Sequence, residues 1–244
     1  MHEKNALTLD TFFNGSIRVK QDQAGYRFSI DAVLLASLAE LRPEDTVLDL
    51  GTGCGIIPLI LAYRHPKIRI HGVEVQEGFA DLAAQNVKEN CLDNRISIHC
   101  LDMKILKLDM TSGPVDVVVS NPPYRRAESG RINPDRQRAV ARHEIKITLN
   151  DVVETASRML RTAGRFKTIY TAERTADMIT QMRLARLEPK SLRMIHSGNN
   201  TEAKLIFIEG KKGGRPGLKI GPPLIIYNQN GSYKDEVQDM FNSN

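Results

Sequence analysis

The tetrad Asn121-Pro122-Pro123-Tyr124 gathers residue types that can act on an amino nitrogen. Two consecutive prolines fix two φ angles and remove two backbone donors, leaving the Pro122 carbonyl rigid and free to accept a hydrogen bond. Asn121 adds a side-chain amide oxygen beside it. Two acceptors converging on one –NH2 group would hold its N–H bonds out of the ring plane. The nitrogen lone pair is then drawn out of conjugation, a stabilisation that grows as the nitrogen attacks an electrophilic carbon. Tyr124 offers a flat face for a splayed-out base, a contact worth roughly 1–3 kcal/mol in single-stranded recognition. Taken alone, the same four residues also suit a Pro-Pro turn with a buried tyrosine.

A second constellation is Asp49-Leu50-Gly51-Thr52-Gly53-Cys54-Gly55, set where a strand gives way to a helix. Glycines there let the backbone approach a ligand at the carboxyl edge of a sheet. A dinucleotide fingerprint would want a small residue at position 56, where Ile56 stands, and Asp49 would repel a pyrophosphate. The same carboxylate suits the α-ammonium group of S-adenosylmethionine, which carries no phosphate. Further on, Gly72-Val73-Glu74-Val75 puts a carboxylate where it can accept both hydroxyls of a ribose. Asp102-Met103 offers an acceptor for an adenine amino group and a side chain to cover the ring, although Asp102 alone equally suits a helix cap.

These residues require a frame that ends several strands at one edge. Apolar runs at Thr46–Leu50, Ile68–Val75, Ile96–Cys100, Val115–Ser120 and Arg165–Tyr170 predict strands. Helical spacing covers the stretches from Ser29 to Leu41, Ile56–Arg64, Glu77–Asn90, Leu149–Leu160 and Ala172–Leu187. Such alternation means a parallel sheet with helices on both faces, since a parallel connection must be long enough to hold a helix. Ser191–His196 and Ala203–Glu209 read as a terminal antiparallel pair, which brings the strands to seven. The fold class expected is α/β, a Rossmann-like, mostly parallel seven-stranded sheet in a single domain. Residues 1–28 form an extended N-terminal arm, 29–209 the core and 210–244 a C-terminal extension whose glycine- and lysine-rich start, Gly210–Gly221, reads as a surface loop.

At 244 residues, 41% hydrophobic and 26% charged, the chain is large enough for one such core. Its three cysteines, Cys54, Cys91 and Cys100, have neither disulfide-framework nor zinc-site spacing, so no metal is expected and the reducing cytoplasm fits best. The N-terminus has no secretory pattern, and the run Ile56–Ala62 is far too short to span a bilayer. The net charge of +5 favours a polyanionic partner. With six scattered histidines and none spaced near a carboxylate pair, no hydrolytic triad is expected.

Asp-Leu-Gly-Thr-Gly-Cys-Gly, Gly-Val-Glu and Ser-Asn-Pro-Pro-Tyr in this order resemble the class I methyltransferases that modify conjugated amino groups. The opening Gly25-Tyr26-Arg27-Phe28-Ser29-Ile30-Asp31-Ala32-Val33-Leu34-Leu35-Ala36, with Ala141-Arg142-His143-Glu144, is similar to the bacterial tRNA adenine-N6 methyltransferases that act beside the anticodon of a valine tRNA. The resemblance runs from about Tyr26 onward. It implies S-adenosylmethionine as cofactor, a site lined by Asp49, Gly51, Gly53, Glu74, Asp102 and Asn121, Asp31 at its mouth, and Tyr124 against the target base. Thr52, Gly55, Val75 and Met103 complete the expected cofactor set. Asn121, Pro122 and Tyr124 are the expected catalytic residues, and Pro123, Tyr124, Arg125 and Arg126 the expected substrate contacts.

Arg125, Arg126, Arg131, Arg136, Arg138 and Arg142 crowd the stretch after the tetrad, where an RNA delivering a base to Tyr124 must run its phosphates. Lys211, Lys212, Arg215 and Lys219 form a second cluster, for which a solvated surface and a functional one weigh equally. His143 and Glu144 suit bracing of the loop. A protein-glutamine N5 methyltransferase of release factors shares the tetrad but carries a longer helical domain ahead of its glycine loop. A DNA adenine methyltransferase would need a target-reading domain after Tyr124, and an rRNA guanine-N2 enzyme more often has Phe there. A non-catalytic module that only holds cofactor or RNA is the alternative of a different class.

Overall fold

In the computed structural model, residues 7–22, 30–122 and 147–242 are described. The chain runs β1 (Leu7–Phe12), β2 (Ile17–Asp22), α1 (Ile30–Leu38), β3 (Thr46–Leu50), α2 (Ile56–Arg64), β4 (Arg69–Glu74), α3 (Glu77–Glu89), β5 (Ile96–Cys100) and β6 (Val115–Ser120). It continues through α4 (Leu149–Met159), β7 (Leu160–Thr171), α5 (Thr175–Leu184), β8 (Leu187–His196), β9 (Ala203–Lys212), β10 (Lys219–Ile220), β11 (Leu224–Ile225) and α6 (Asp235–Asp239). The main sheet has the order β10-β8-β9-β7-β6-β3-β4-β5, with β11 also paired to β8. β3 to β7 pair in parallel, and β9 lies antiparallel between β7 and β8. All seven expected strands are present, and the carboxyl ends of β3, β4 and β6 lie side by side.

Helices cover both faces. α1, α2 and α3 share one apolar cluster with Val47, Val117, Val119 and Ile169, and α4 and α5 share the other with Leu48, Leu50, Val118 and Phe166. α2 buries every residue from Ile56 to Ala62, because the sheet, α1 and the N-terminal hairpin enclose it on all sides. Across the first face Lys167, 2% exposed, pairs with Glu209 directly opposite it on β9. A one-residue slip of β7 against β9 would put these charges into opposite faces, so the pair fixes the register.

Three differences from the sequence expectation have physical causes. The N-terminal arm is a β-hairpin, not a simple extended segment: Phe12, Phe13, Ile17 and Val19 are buried, and Phe13, Asn14 and Gly15 turn with positive φ. The glycine- and lysine-rich tail is partly strand. β9 runs on to Lys212, and β10 and β11 lengthen the sheet because Leu224, Ile226, Val237 and Met240 are buried beyond them. Finally, α5 ends at Leu184, and Arg186 turns with φ 61 so that β8 starts at Leu187 and passes Pro189 through an irregularity in its pairing. Ser29, where the first helix is expected to begin, lies outside the described residues.

The tail returns to meet the hairpin. Tyr227 stacks on Tyr233 (5.3 Å), Tyr233 on Phe241 (5.2 Å) and Phe241 on Phe12 (6.4 Å). Arg64, at the end of α2, donates to the Met240 carbonyl at 2.9 Å. Both chain extensions therefore pack on the α1–α3 face.

At the other end of the sheet, His71 Nδ1 and His99 Nε2 stand 3.1 Å apart across β4 and β5. Burial lowers both pKa values, and for His71 the neighbouring His99 charge adds to it. The unfolded chain thus binds protons that the folded chain resists, and the pair's stabilisation is lost as pH falls below the ordinary histidine value of about 6.5. Replacing one partner, His99→Gln, is expected to give a smaller fall in the urea midpoint than wild type shows between pH 7 and pH 5. Parallel curves would refute a titrating pair.

Candidate active site

β3 delivers Asp49 and the glycine loop, β4 delivers Glu74, and β6 delivers Asn121 and Pro122. Leu50 lies opposite Ser120, so Gly51 and Asn121 leave the sheet side by side. Hydroxyl groups hold these ends together: Ser120 Oγ donates to the Leu50 carbonyl (2.8 Å), and Thr168 Oγ1 donates to the Ser120 carbonyl (2.7 Å). Both are fully buried. The sequence reading gave neither Ser120 nor Thr168 this role; the available signal was a hydroxyl residue ending the apolar strand β6 and another within β7.

The loop itself is pinned to β4. The Gly51 and Thr52 amides donate to the Val73 carbonyl at 2.9 and 3.0 Å. Gly72 makes this approach possible, since a Cβ there would meet Thr52 Oγ1 at 3.0 Å and Ile98 Cδ1 at 2.9 Å. Gly51 and Gly53 turn with φ of +78 and +57, and a Cβ on either would meet nothing within 4 Å, so the loop faces open space. Gly55 does different work: it packs against Ala83 of α3. Cys54 is buried, and that burial pushes its thiol up to about 11 and keeps it protonated.

Glu74 is held by three backbone amides. Its Oε1 accepts from Val75 (3.0 Å) and Gln76 (2.9 Å), and its Oε2 accepts from Gly53 (3.1 Å). The carboxylate is therefore fixed between strand end and loop. Asp49 is its opposite. It is 0% exposed, neither carboxylate oxygen has a hydrogen-bond partner, and the buried Thr52 hydroxyl beside it is likewise unpartnered. Burial pushes its pKa up to about 7, the Thr52 hydroxyl works in the lowering direction, and the Glu74 charge raises it further. An acceptor in this condition at a loop facing open space is what an ammonium-bearing cofactor would satisfy.

Asp102 caps the short turn that follows β5, accepting from the Lys104 amide at 2.9 Å with the Lys104 ammonium 3.3 Å away. Met103 is 3% exposed and packs with Leu48, Leu50 and Val73. The cap and core roles account for both residues in this structure. Asp31 lies in the first turn of α1. Arg165, near the opposite end of the parallel strands, reaches the Glu40 carbonyl just past that helix, so Asp31 is at the loop's edge of the sheet. Asn121 is half-buried and Pro122 buried. Pro123, Tyr124, Arg125, Arg126, the further arginines to Arg142, His143 and Glu144 lie outside the described residues.

Asn86 of α3, also missed from sequence, links the loop to the N-terminal hairpin. It is fully buried, its Nδ2 donates to the Cys54 carbonyl (2.9 Å) and the Lys20 carbonyl (3.0 Å), and its Oδ1 accepts from the Lys20 amide (2.8 Å). Asn90 repeats the pattern on Arg18, at 2.9 and 2.7 Å. Two side-chain amides one helical turn apart thus pair with β2 as a neighbouring strand would.

Doubly wound sheet, strand-end carboxylates and glycine loop together define a class I methyltransferase. The chain belongs to the methyltransferase small domain family, whose profile matches residues 29–187. A relative from Porphyromonas gingivalis, named tRNA1(Val) (adenine(37)-N6)-methyltransferase, is 32% identical over 83% of this chain and 81% of its own length. One of the same name from Histophilus somni is 26% identical over 98% and 97%. Among solved structures, a predicted O-methyltransferase from Agrobacterium tumefaciens superposes with a TM-score of 0.70 at 22% identity, over 86% of this chain and 94% of that one. The tRNA m1G37 methyltransferase of M. jannaschii gives 0.61 at 15%, over 87% and 59%.

A cofactor-free Asp49→Asn variant is expected to gain stability above pH 7. The folded pKa of Asp49 is raised, so its contribution is fully present at low pH and lost as pH rises through about 7. Removing the charge should recover up to roughly 4 kcal/mol at pH 8, and little at pH 4. Thermal melts at both pH values check this, and calorimetry should find S-adenosylmethionine binding weakened by ~10-fold or more, as loss of a charged hydrogen-bond partner predicts. Asn86→Ala should also weaken cofactor binding, without altering the chemical step measured at saturation. Unchanged affinity would mean that the loop holds its shape without α3.

Proposed function

We propose that the protein transfers the methyl group of S-adenosylmethionine to the exocyclic N6 amino group of an adenine in tRNA, in the cytoplasm. The observation that carries this reading is the place of Asn121 and Pro122 at the end of β6, beside the loop that presents unpartnered Asp49. The names of the relatives support adenine N6 as the acceptor and a valine tRNA, at position 37, as its carrier.

The residues present suit the cofactor at three points. Asp49 would receive its α-ammonium group, Glu74 has an Oε2 that can take a ribose hydroxyl as well as the Gly53 amide, and the open side of Gly51 and Gly53 lets the backbone lie against it. When bound, S-adenosylmethionine supplies an electrophilic methyl group on a sulfonium that leaves as a neutral thioether.

The chain's own work is positioning. The Asn121 amide oxygen and the Pro122 carbonyl would each accept one N–H of the adenine amino group and turn its lone pair toward the methyl carbon. The two acceptors would also stabilise the positive charge that develops on the adenine nitrogen as it is methylated. The same acceptors then lie in position to receive the departing proton on its way to solvent. Tyr124 would stack the base that presents this amino group, with Pro123, Arg125 and Arg126 next to it in sequence.

Labelled S-adenosylmethionine incubated in parallel with bulk tRNA, rRNA, DNA and release factor tests the reading. Label is expected in tRNA, as N6-methyladenosine on nuclease digestion. Label in protein alone would overturn the RNA substrate, and label in guanosine the adenine acceptor. Asn121→Ala should lower kcat by ~10²–10³-fold, the scale for losing one transition-state hydrogen-bonding group, while cofactor affinity stays within about threefold. Tyr124→Ala should act chiefly on the KM for RNA.

A further inference from the structure

The two edges of the sheet differ in charge. The carboxyl edge carries the candidate site. Toward the opposite edge, the β7 start, the α5–β8 turn and the end of β9 come together through the pairings of Arg165 with Lys211 and Glu188 with Lys211, and the turn after β9 leads from there to β10 on the outer side of β8, where Lys219 lies opposite Ser191. Arg186, Lys190, Lys211, Arg215 and Lys219 lie here, and none has an ion-pair partner among the described residues. Glu188 is the one acid in residues 183–190 and 211–221, and Arg183 already occupies it at 3.4 Å.

The backbone holds these cations in place. Lys190 Nζ donates to the Arg215 carbonyl (3.0 Å), the Gly213 amide to the Arg186 carbonyl (3.0 Å), and Lys212 Nζ to the Leu160 carbonyl (2.6 Å). The glycine-rich stretch is thus a shaped turn that projects Lys211, Arg215 and Lys219 into solvent, all three exposed. Five cations on neighbouring strands and turns, with no ion-pair partner among the described residues, set up a positive field suited to a polyanion.

We propose that this ridge binds the phosphate backbone of the RNA substrate away from the nucleotide being modified. The inference rests on the tRNA reading above. Counting residues along β7 and strands across the sheet, the ridge lies about 15–20 Å from Asn121, from ~3.3 Å per residue and ~4.8 Å per strand. That is too far to touch the target base, yet within reach of the backbone of a folded RNA whose loop enters the site. Affinity would then come largely from sequence-independent phosphate contacts, and selection from the residues around the tetrad.

The test compares wild type with the exposed triple variant Lys211→Gln/Arg215→Gln/Lys219→Gln, and with Lys211→Arg/Lys219→Arg, which keeps the charge. Binding of fluorescein-labelled bulk tRNA is followed by anisotropy across a salt series, alongside methyl transfer, S-adenosylmethionine affinity and melting temperature. The glutamine variant should bind tRNA ~10-fold or more weakly at 0.1 M salt. Its slope of log K against log salt should be shallower by about 2, near 0.7–0.9 for each lost phosphate contact. Its KM for tRNA should rise with kcat, cofactor affinity and melting temperature unchanged, and the arginine variant should match wild type. An unchanged slope and KM in a folded glutamine variant would overturn the ridge as an RNA surface, as would binding of acidic phospholipid vesicles that depends on these residues while tRNA binding does not. Wild type that binds tRNA through the ridge but methylates none would instead overturn the substrate reading.

Discussion

An acid buried without a partner is the constraint around which the candidate site is arranged. Folding strips Asp49 of water and leaves its carboxylate oxygens without a satisfied partner, and this burial pushes its carboxyl up to about 7. Such a group is tolerated only where the surroundings over-determine its position. Here Asp49 is a middle residue in the pairings of β3 with both β4 and β6 and cannot leave the sheet. A cation placed against these oxygens would offset the cost of their burial. Glu74, by contrast, is satisfied before any ligand binds, and acts as a fixed post that keeps Gly53 in place.

The loop above Asp49 keeps its shape through contacts from three sides: Val73 below, Ala83 behind and Asn86 through the Cys54 carbonyl. The last of these reaches beyond the sheet. Asn86 also carries the backbone of Lys20, and the hairpin that holds Lys20 is anchored by Phe12 against Phe241 at the far end of the chain. Extensions outside the matched family region therefore bear on the loop through one buried amide. Because that amide is fully satisfied, it can transmit a displacement of the hairpin as well as hold it still.

Much of this was legible in the sequence. The strands at 46–50 and 115–120 are mostly apolar runs bounded by an acid, glycine, proline or asparagine and appear with the expected bounds, because a parallel strand buried on both faces leaves little room for a polar residue. Asp49, Glu74 and Asn121 sit at strand ends, where residue type and spacing alone point to a site. Less legible was Asp102, since a helix cap and an adenine acceptor call for the same side chain in the same place. The hairpin and the tail were hidden for another reason. Their buried residues, Phe13, Val19, Leu224 and Val237, are spaced across turns with no single period, and the glycine-lysine run between them reads as an unattached loop until Lys190 is seen to donate to the Arg215 carbonyl and Lys212 to the Leu160 carbonyl. Asn86 gives no signal at all in a helix that otherwise looks amphipathic.

Dividing chemistry and charge between the two edges of one sheet has a physical logic. A cation cluster placed beside Asp49 and Glu74 would stabilise their charged forms and draw them into ion pairs, leaving the cofactor's ammonium group to compete with lysine for the same oxygens. Held about 15–20 Å away, beyond the ~8–10 Å screening length of physiological salt, the ridge leaves the titration of Asp49 untouched while still attracting phosphate. The Lys167–Glu209 pair stands in the row of Val119 between the site and the ridge, and because Lys167 is neutralised by its own partner it adds no unbalanced charge there. The separation lets a weak, salt-sensitive contact with the body of the RNA be tuned without altering the pocket where the methyl group moves.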